Sequence, residues 1–422
     1  MFLKEIEISN FKAIDNKKIE FKEGLNLIIG DNGVGKTSIL EAISVALGGF
    51  IAGIDGVKTK HFTKDEIRCI SELMGQGSYN IKHVTPIEVS CNVELDNEEF
   101  TWTRRKSGIH SSRSTVEPRD ICKKAAIMAD DSHSILPLLS YKSDARMWPK
   151  IDRIKDIFRE DYSRTVGYID CLSGESNNKL FMNWCKRMEQ ISWQEDRKIA
   201  EYEVVKETLA KFMSIMSEDK ISKVFYDKRT EELMYKNEEE VLPISYLSAG
   251  YQSLIWMVLE IAYRMAVLNP NLLDKVTEKT SGIVLIDELD LHLHPNWQWK
   301  VIKALRETFP KVQFIATTHS PIILASCKDE RVISIDSEMN IEYKNSLYGV
   351  PINNVLVSYQ SSTDIVDGVK KKLDKFNEAI DDGDLKGAKE LLDELKEEIG
   401  EDNPEFVGAN VTYDLESMDM GD

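Results

Sequence analysis

Residues 25 to 47, LNLIIGDNGVGKTSILEAISVAL, decide the fold. An apolar run of strand length (Leu25, Leu27, Ile28, Ile29) feeds a loop with three glycines. The loop opens into a segment whose apolar residues, Ile39, Ile43, Ala46 and Leu47, recur at helical spacing. Within it, Gly30, Gly35, Lys36 and Thr37 satisfy the pattern G-x-x-x-x-G-K-[ST]. The glycines let backbone N–H groups curl around phosphate oxygens, and the helix start adds its positive end. Lys36 then reaches the β- and γ-phosphates while the Thr37 hydroxyl ligates Mg²⁺. Asn32, Gly33 and Ser38 complete the candidate nucleotide-binding set, and ATP with Mg²⁺ are the expected ligands. A glycine-rich turn before an ordinary core helix explains the same glycines but not the lysine and threonine at this spacing.

Working outward, three later stretches carry matching chemistry. GIVLIDELDLHLHP (282–295) begins with a continuous apolar run, as strands buried on both faces do, and delivers Asp287 and Glu288 at its end. Asp287 suits Mg²⁺, and Glu288 suits a base that polarises the attacking water. VQFIATTHSP (312–321) repeats the design and ends at His319, placed to donate a hydrogen bond to a γ-phosphate. YLSAGYQS (246–253) heads a helix running to Leu268, so Ser248, Ala249 and Gly250 form a second anion-binding helix end. Two such ends in one chain suit a head-to-tail dimer in which each ATP is held by the loop of one copy and the LSAG of the other. His292 and His294 have no third ligand nearby in sequence, so they read as loop structure and not as a metal site.

The rest of the chain supplies the frame. FLKEIEIS, KKIEF and LNLIIG read as a β-rich entry, and the first helix is expected to stop at Gly48-Gly49. Residues 50 to 80 read as loop and short helix, and EVSCNVEL and EEFTWTRRK as an antiparallel pair joined by Asp96-Asn97. Arg104, Arg105, Lys106 and Arg113 gather beside Trp102, a pattern more often a solvated strand end than a nucleic-acid contact. ILPLLSY (135–141) reads as a buried strand, Asn178 to Met216 as a helical arm, and KVFYD, ELMYK and LPISYL as strands. Toward the end, Lys370 to Ile380 and Leu385 to Ile399 read as two helices separated by DDGD. A pair this short cannot bury both apolar stripes alone, which makes it a candidate assembly element.

At 422 residues the chain is long enough for a large domain with insertions or for two to three lobes. Apolar content of 42% excludes a wholly disordered chain, and no uninterrupted apolar stretch reaches membrane-spanning length. The N-terminus, MFLKEIEIS, alternates like a strand and lacks a signal peptide's apolar core, so a cytoplasmic protein is expected. Six cysteines without a C-x-x-C pair read as reduced core residues. Of the net charge of −18, the segment from Asp364 to Asp422 carries −12, nineteen Asp/Glu against seven Lys/Arg. The body is only mildly acidic, and local basic surfaces for DNA or RNA remain compatible with it.

The order phosphate loop, LSAGYQ, LIDELD, TTHSP resembles the ABC-type ATPases of the SMC and RecF kind within the wider AAA family. The resemblance implies an α/β fold: an ABC-type P-loop ATPase head with a mixed sheet, an antiparallel β lobe, an inserted helical arm and a C-terminal helical hairpin. Carried over by motif, Ser248 and Gly250 become the signature that acts in trans, Asp290 the D-loop, Glu288 the catalytic glutamate and His319 the switch histidine. Ala249 departs from the family's usual glycine and Tyr251 from its usual Glu or Gln. The expected organisation is residues 1–142 for the first half of the head, 143–220 for the arm, 221–362 for the second half with signature, Walker B and switch, and 363–422 for an acidic hairpin and tail. NFKAI, LPLLSYKSDARMW, FMNWCKRME, GIVLIDELDLHLHPNWQ and FPKVQFIATTHSP look like the compact ATPases of bacterial anti-phage defence, the PtuA-type subunits of Septu systems, retron-linked forms included. That resemblance implies an ATPase that senses infection and regulates an HNH nuclease partner, as a homodimer or higher oligomer, with a retron reverse transcriptase and its nucleic acid as further partners. No nuclease centre is legible in the chain. A RecF-like DNA-repair ATPase and an ATP-glued scaffold with little turnover are the alternatives.

Overall fold

The computed structural model describes residues 1–74, 78–111, 113–144, 163–175, 178–217, 223–237, 240–344, 346–359 and 365–419. The last residues of the LPLLSYKSDARMW motif and the cut point at Ser362 between head and hairpin lie outside them.

Two sheets enclose one helix. The first is antiparallel, in the order β2-β1-β6-β7-β8, from β1 (Phe2–Phe11), β2 (Ile14–Glu20), β6 (Ile87–Leu95), β7 (Glu98–Lys106) and β8 (Thr115–Glu117). One face is covered, so β6 alternates strictly between buried and half-buried residues. β6 and β7 are joined at Asp96 and Asn97, both at positive φ (53° and 63°), the conformation of a two-residue hairpin turn whose twist matches its strands. The second sheet runs β16-β15-β3-β14-β13-β9, from β3 (Leu25–Gly30), β9 (Leu138–Lys142), β13 (Gly282–Ile286), β14 (Val312–Thr317), β15 (Arg331–Ile335) and β16 (Ile341–Lys344). All but the edge strand β16 pair in parallel. β9, β13 and β14 are buried at every position; β13 is continuously apolar, while Ser140, Lys142, Gln313 and Thr317 are buried polar residues of the other two. Between the sheets lies α1 (Lys36–Ile51), in contact with β1, β6 and β7 on one side and β3, β13 and β14 on the other. A helix covered all round has no polar face to keep.

That enclosure corrects the expected helix end. α1 runs through Gly48 and Gly49 to Ile51, because these glycines serve close packing and not termination. A Cβ on Gly49 would lie 2.3 Å from Trp102 Nε1, and the same indole N–H donates to the Ala46 carbonyl at 2.8 Å. A second correction falls in the stretch read as loop and short helix. It contains a hairpin, β4 (Cys69–Met74) with β5 (Ser78–His83), where Ile70 and Ile81 are exposed. Cys69 on this hairpin is exposed, unlike the other five free cysteines. LPISYL also departs from its reading: the strand is confined to β12 (Val241–Pro243), which completes a small sheet with β10 (Lys223–Asp227) and β11 (Glu232–Lys236) before a 3-10 turn at Ile244–Tyr246.

After α2 (Asp120–Asp130), the inserted helices α3 (Asn178–Gln194) and α4 (Ala200–Met216) pack on α5 (Ala249–Leu268). Their contact is an aromatic cluster in which Trp184 lies edge-on to Tyr263 and Tyr202, with centroids 5.1 and 5.7 Å apart. The arm is therefore a lobe built onto the helix that LSAG begins. α6 (Val276–Lys279), α7 (Pro295–Gln298), α8 (Val301–Thr308) and α9 (Pro321–Ala325) complete this unit, which spans Met1–Val350.

The second compact unit is Pro351–Asp422. It holds α10 (Ile352–Tyr359), α11 (Asp367–Asp381), α12 (Leu385–Ile399) and α13 (Pro404–Asp419). The last helix was not legible in the sequence and changes how the hairpin is stabilised. Phe376, Leu392 and Leu395 bury against one another with Phe406 and Ala409 of α13, so the apolar stripes expected to need an outside partner find one within the unit.

Candidate functional site

The loop between β3 and α1 is set by three glycines at positive φ: Gly30 at 148°, Gly33 at 85° and Gly35 at 91°. Gly30 is required twice over, since a Cβ there would also lie 2.3 Å from the Ile335 carbonyl oxygen on β15. Lys36, the first residue of α1, folds back and donates from Nζ to the carbonyls of Gly30 and Asp31, both at 2.8 Å. Burial draws its pKa down, while Asp287, Asp31, Glu288 and Asp290 oppose that shift, so three carboxylates from beyond β13 share its electrostatic neighbourhood. Asn32, Gly33 and Thr37 are exposed at the loop surface, Ser38 is half-buried, and the first-turn N–H groups of α1 lie beside them.

Strand register brings the remaining groups to the same edge. In the parallel ladder Ile286 pairs with Ala316 and Thr317 with Ile28, so β3, β13 and β14 end together, the place where open parallel sheets bind ligands. Thr317 Oγ1 donates to Asp287 Oδ1 at 2.6 Å and accepts from the Glu288 N–H at 2.7 Å. The Leu289 N–H donates to the Thr317 carbonyl at 2.8 Å. One step further, Asp290 Oδ1 accepts from Thr318 Oγ1 at 2.6 Å and from the His319 N–H at 3.2 Å. The two strand ends thus form one cross-linked unit. Asp287 is buried, while Glu288 and His319 are half-buried. Glu288 stands at φ 50°, a left-handed backbone that a glutamate adopts only where its surroundings hold it. Thr317 and Thr318 carry this linkage, and their adjacency to His319 in TTHS was the only sequence sign of it.

The LSAG segment forms the start of α5 with Ser248 as N-cap residue. Ser248 and Ala249 are exposed, and the Ser248 hydroxyl makes no capping bond to its own helix. Ser320 offers the contrast, accepting from the N–H groups of both Ile322 and Ile323. Gly250 is buried where a Cβ would lie 2.5 Å from the His292 carbonyl oxygen. Tyr251, which replaces the expected Glu or Gln, sits edge-on to Trp297 with centroids 4.3 Å apart. The segment is braced by the turn that follows Asp290 in the same chain. Among the described residues no hydrogen bond joins Ser248–Gly250 to the phosphate loop of that chain. His294 Nδ1 accepts from the Asn296 N–H at 3.3 Å, and no group of three metal-ligating side chains occurs among the described residues.

A buried charge cluster ties α5 to this edge. Glu260 pairs with Lys142 at the end of β9, and with Arg264 one turn along α5 at 2.8 Å. Arg264 also donates to the carbonyls of Gly167 and Ile169 at 2.7 and 2.9 Å. The Lys142 carbonyl accepts the Asp287 N–H at 2.7 Å, so one residue anchors both the long helix and the acidic strand end.

A family model described as an AAA domain matches residues 5–241, and one described as an AAA domain, putative AbiEii toxin, Type IV TA system, matches residues 227–325. The chain is 30% identical to the probable ATPase of retron Vc95 from Vibrio cholerae serotype O1 biovar El Tor, across 81% of this chain and 74% of that one. It is 26% identical to the Septu protein PtuA of Bacillus thuringiensis, across 86% of this chain and 82% of the relative. In fold it is similar to an SMC head solved with the C-winged helix domain of ScpA, with a TM-score of 0.50 at 19% identity, covering 82% of this chain and 98% of that one.

Proposed function

The chain belongs to the AAA-domain ATPases, in the group of the Septu and retron ATPases, and we propose that it hydrolyses ATP at a site shared by two copies and thereby regulates a partner nuclease in anti-phage defence. One observation carries the proposal: the phosphate loop and the linked unit Asp287–Glu288–Thr317 converge at one sheet edge, while the exposed, uncapped Ser248 at the start of α5 has no bond to that loop in its own chain.

In this reading the N–H groups of Gly30 to Ser38 cradle the phosphates, and Lys36 exchanges its carbonyl partners for the β- and γ-phosphate oxygens. The donor set suits a small hard cation: a hydroxyl at the first turn of α1 and a buried carboxylate oriented by Thr317. Thr37 and Asp287 would hold the Mg²⁺ that neutralises charge on the transferred phosphoryl group when bound. Glu288, aimed by its left-handed backbone and fixed by the Thr317 hydroxyl, accepts a proton from the attacking water. His319 donates to the γ-phosphate, with Asp290 holding its backbone and passing the D-loop contact to the second copy. Ser248 and Gly250 of that copy close over the γ-phosphate with the positive end of a 20-residue helix.

The names of the relatives support a defence role, and the resemblance to Septu subunits supports an HNH nuclease partner, joined in retron-linked forms by a reverse transcriptase and its nucleic acid. No described helix is long and apolar enough to cross a membrane. The test is to co-purify the chain with an HNH protein encoded beside it and assay DNA cleavage with wild-type and Glu288→Gln chains. Cleavage that responds to the state of the ATP site supports the proposal; a pair that does not associate, or cleavage indifferent to Glu288, contradicts it.

A further inference from the structure

The basic cluster beside Trp102 divides between two faces of β7. Arg105 turns outward and pairs with Glu88 at 3.0 Å, while Arg104 and Lys106 turn inward and are buried. Arg104 has no exposed surface. Its guanidinium donates to the Lys60 carbonyl at 2.7 Å, to the Thr59 hydroxyl at 3.2 Å, to the Ser114 hydroxyl, and to His61 Nδ1 at 3.3 Å. Its Nε has no hydrogen-bond partner. Every one of these partners is neutral, and among the described residues no carboxylate pairs with Arg104. Burial draws its pKa down to about 10. A buried cation without a counter-ion is expensive, and folds normally supply the missing carboxylate.

Here the groups that hold Arg104 also form the wall of a cleft. Thr59, His61 and Ser114 line a space of about 990 Å³, and Lys58, Arg113 and Arg119 line it further, against one carboxylate, Glu117. Because arginine only donates, His61 Nδ1 is the acceptor and Nε2 carries the imidazole hydrogen as a further donor. Burial, Arg104, Arg113 and Lys106 all draw the His61 pKa down, in keeping with a ring nitrogen that accepts. Ala52, just past the end of α1, borders the cleft, whereas the phosphate loop lies at the start of that 16-residue helix, about 24 Å away. The cleft is thus separate from the ATP site.

We propose that this cleft is a second anion site that takes the phosphate of a nucleotide or of a nucleic-acid strand end, with Lys58, Arg113 and Arg119 meeting the charge and Arg104 standing behind Thr59, His61 and Ser114. Planar guanidinium forks, the Lys58 ammonium and the His61 Nε2–H match phosphate oxygens, and a cleft of roughly 300–1,000 Å³ is the size that holds a small organic ligand. The proposal is independent of ATP hydrolysis.

The test uses the full chain carrying Lys36→Ala, so that the phosphate loop does not compete. A labelled 5′-phosphorylated dinucleotide, its unphosphorylated twin and AMP as competitor are titrated by fluorescence anisotropy at low salt. The phosphorylated probe should bind, and either removal of its phosphate or the pair Arg113→Ala/Arg119→Ala, both at exposed positions, should weaken binding by about tenfold or more. Displacement by AMP identifies a free nucleotide as the source, and resistance to AMP a strand end; either supports the site. Absence of phosphate-dependent binding, or equal binding by the chain with and without the two arginines, overturns it.

Discussion

Replacing Glu260 with glutamine removes the only anion of a three-member buried cluster and leaves Lys142 and Arg264, each 1% exposed in its side chain, facing one another. Burial pushes the Glu260 carboxyl up, but Lys142 and Arg264 together outweigh it and hold the group below its ordinary range. Breaking such a cluster by taking one partner costs about 3–5 kcal/mol, because the remaining charge stays buried without compensation. For the Met1–Val350 unit, with an unfolding entropy of roughly 2.1 cal/mol/K per residue, that cost lowers Tm by about 4–7 °C. Lys142→Met is the informative comparison, since it leaves the balanced pair of Glu260 and Arg264 and keeps most of the lysine stem's volume. Burial already draws the Lys142 ammonium below its usual pKa, so its loss should cost less than half as much. Differential scanning fluorimetry on both variants measures the two shifts. The gap between wild type and Glu260→Gln should be full above pH 4.5, the ordinary value, and close as the pH falls through the lower folded value, where the wild-type carboxylate is protonated too. A Glu260→Gln shift no larger than that of Lys142→Met would refute the charge reasoning.

Thr317→Val should leave ATP affinity within a few-fold and slow turnover by about 10–100-fold, because the hydroxyl that orients Asp287 and receives the Glu288 N–H is lost; steady-state kinetics separate the two effects. Gly49→Ala should destabilise the head by ~1–3 kcal/mol in denaturant titration, since the new methyl meets the Trp102 indole. Phe406→Ala should cost about 3–5 kcal/mol in the C-terminal unit and raise amide exchange in α11 and α12, which share its core.

The parts legible in the sequence are those whose signal is local. The glycine loop between β3 and α1 announces itself through residue identity at fixed spacing. β13 does so through an unbroken apolar run, β14 through one interrupted at Gln313, and the β6–β7 hairpin through Asp96-Asn97, which tolerates positive φ. What was hidden depends on a distant neighbour. Gly48 and Gly49 look like a stop until Thr59 and Lys60 are brought against the first and Trp102 against the second, and Thr317 looks like a strand end until register sets it against Asp287. The β4–β5 hairpin escaped because Ile70 and Ile81, apolar residues on its two strands, are exposed and pack into no core. α13 escaped because Val407, Val411 and Leu415 face outward while Gly408 and Thr412 weaken its helical pattern. The basic cluster was visible, but only alternation along a placed strand separates the ion-paired Arg105 from the buried Arg104.

The claim that each ATP site is shared between two copies is tested most directly by mixing two inactive proteins. Lys36→Ala lacks its own phosphate grip, and Ser248→Arg obstructs only the neighbour's site, since Ser248 is exposed and has no bond to its own loop. Each alone should show no turnover. An equal mixture should recover about a quarter of wild-type turnover per protomer, half the dimers being mixed and each of those carrying one intact site of two. No recovery from mixtures in which both proteins are folded and dimeric, or full activity of Ser248→Arg alone, would contradict the account.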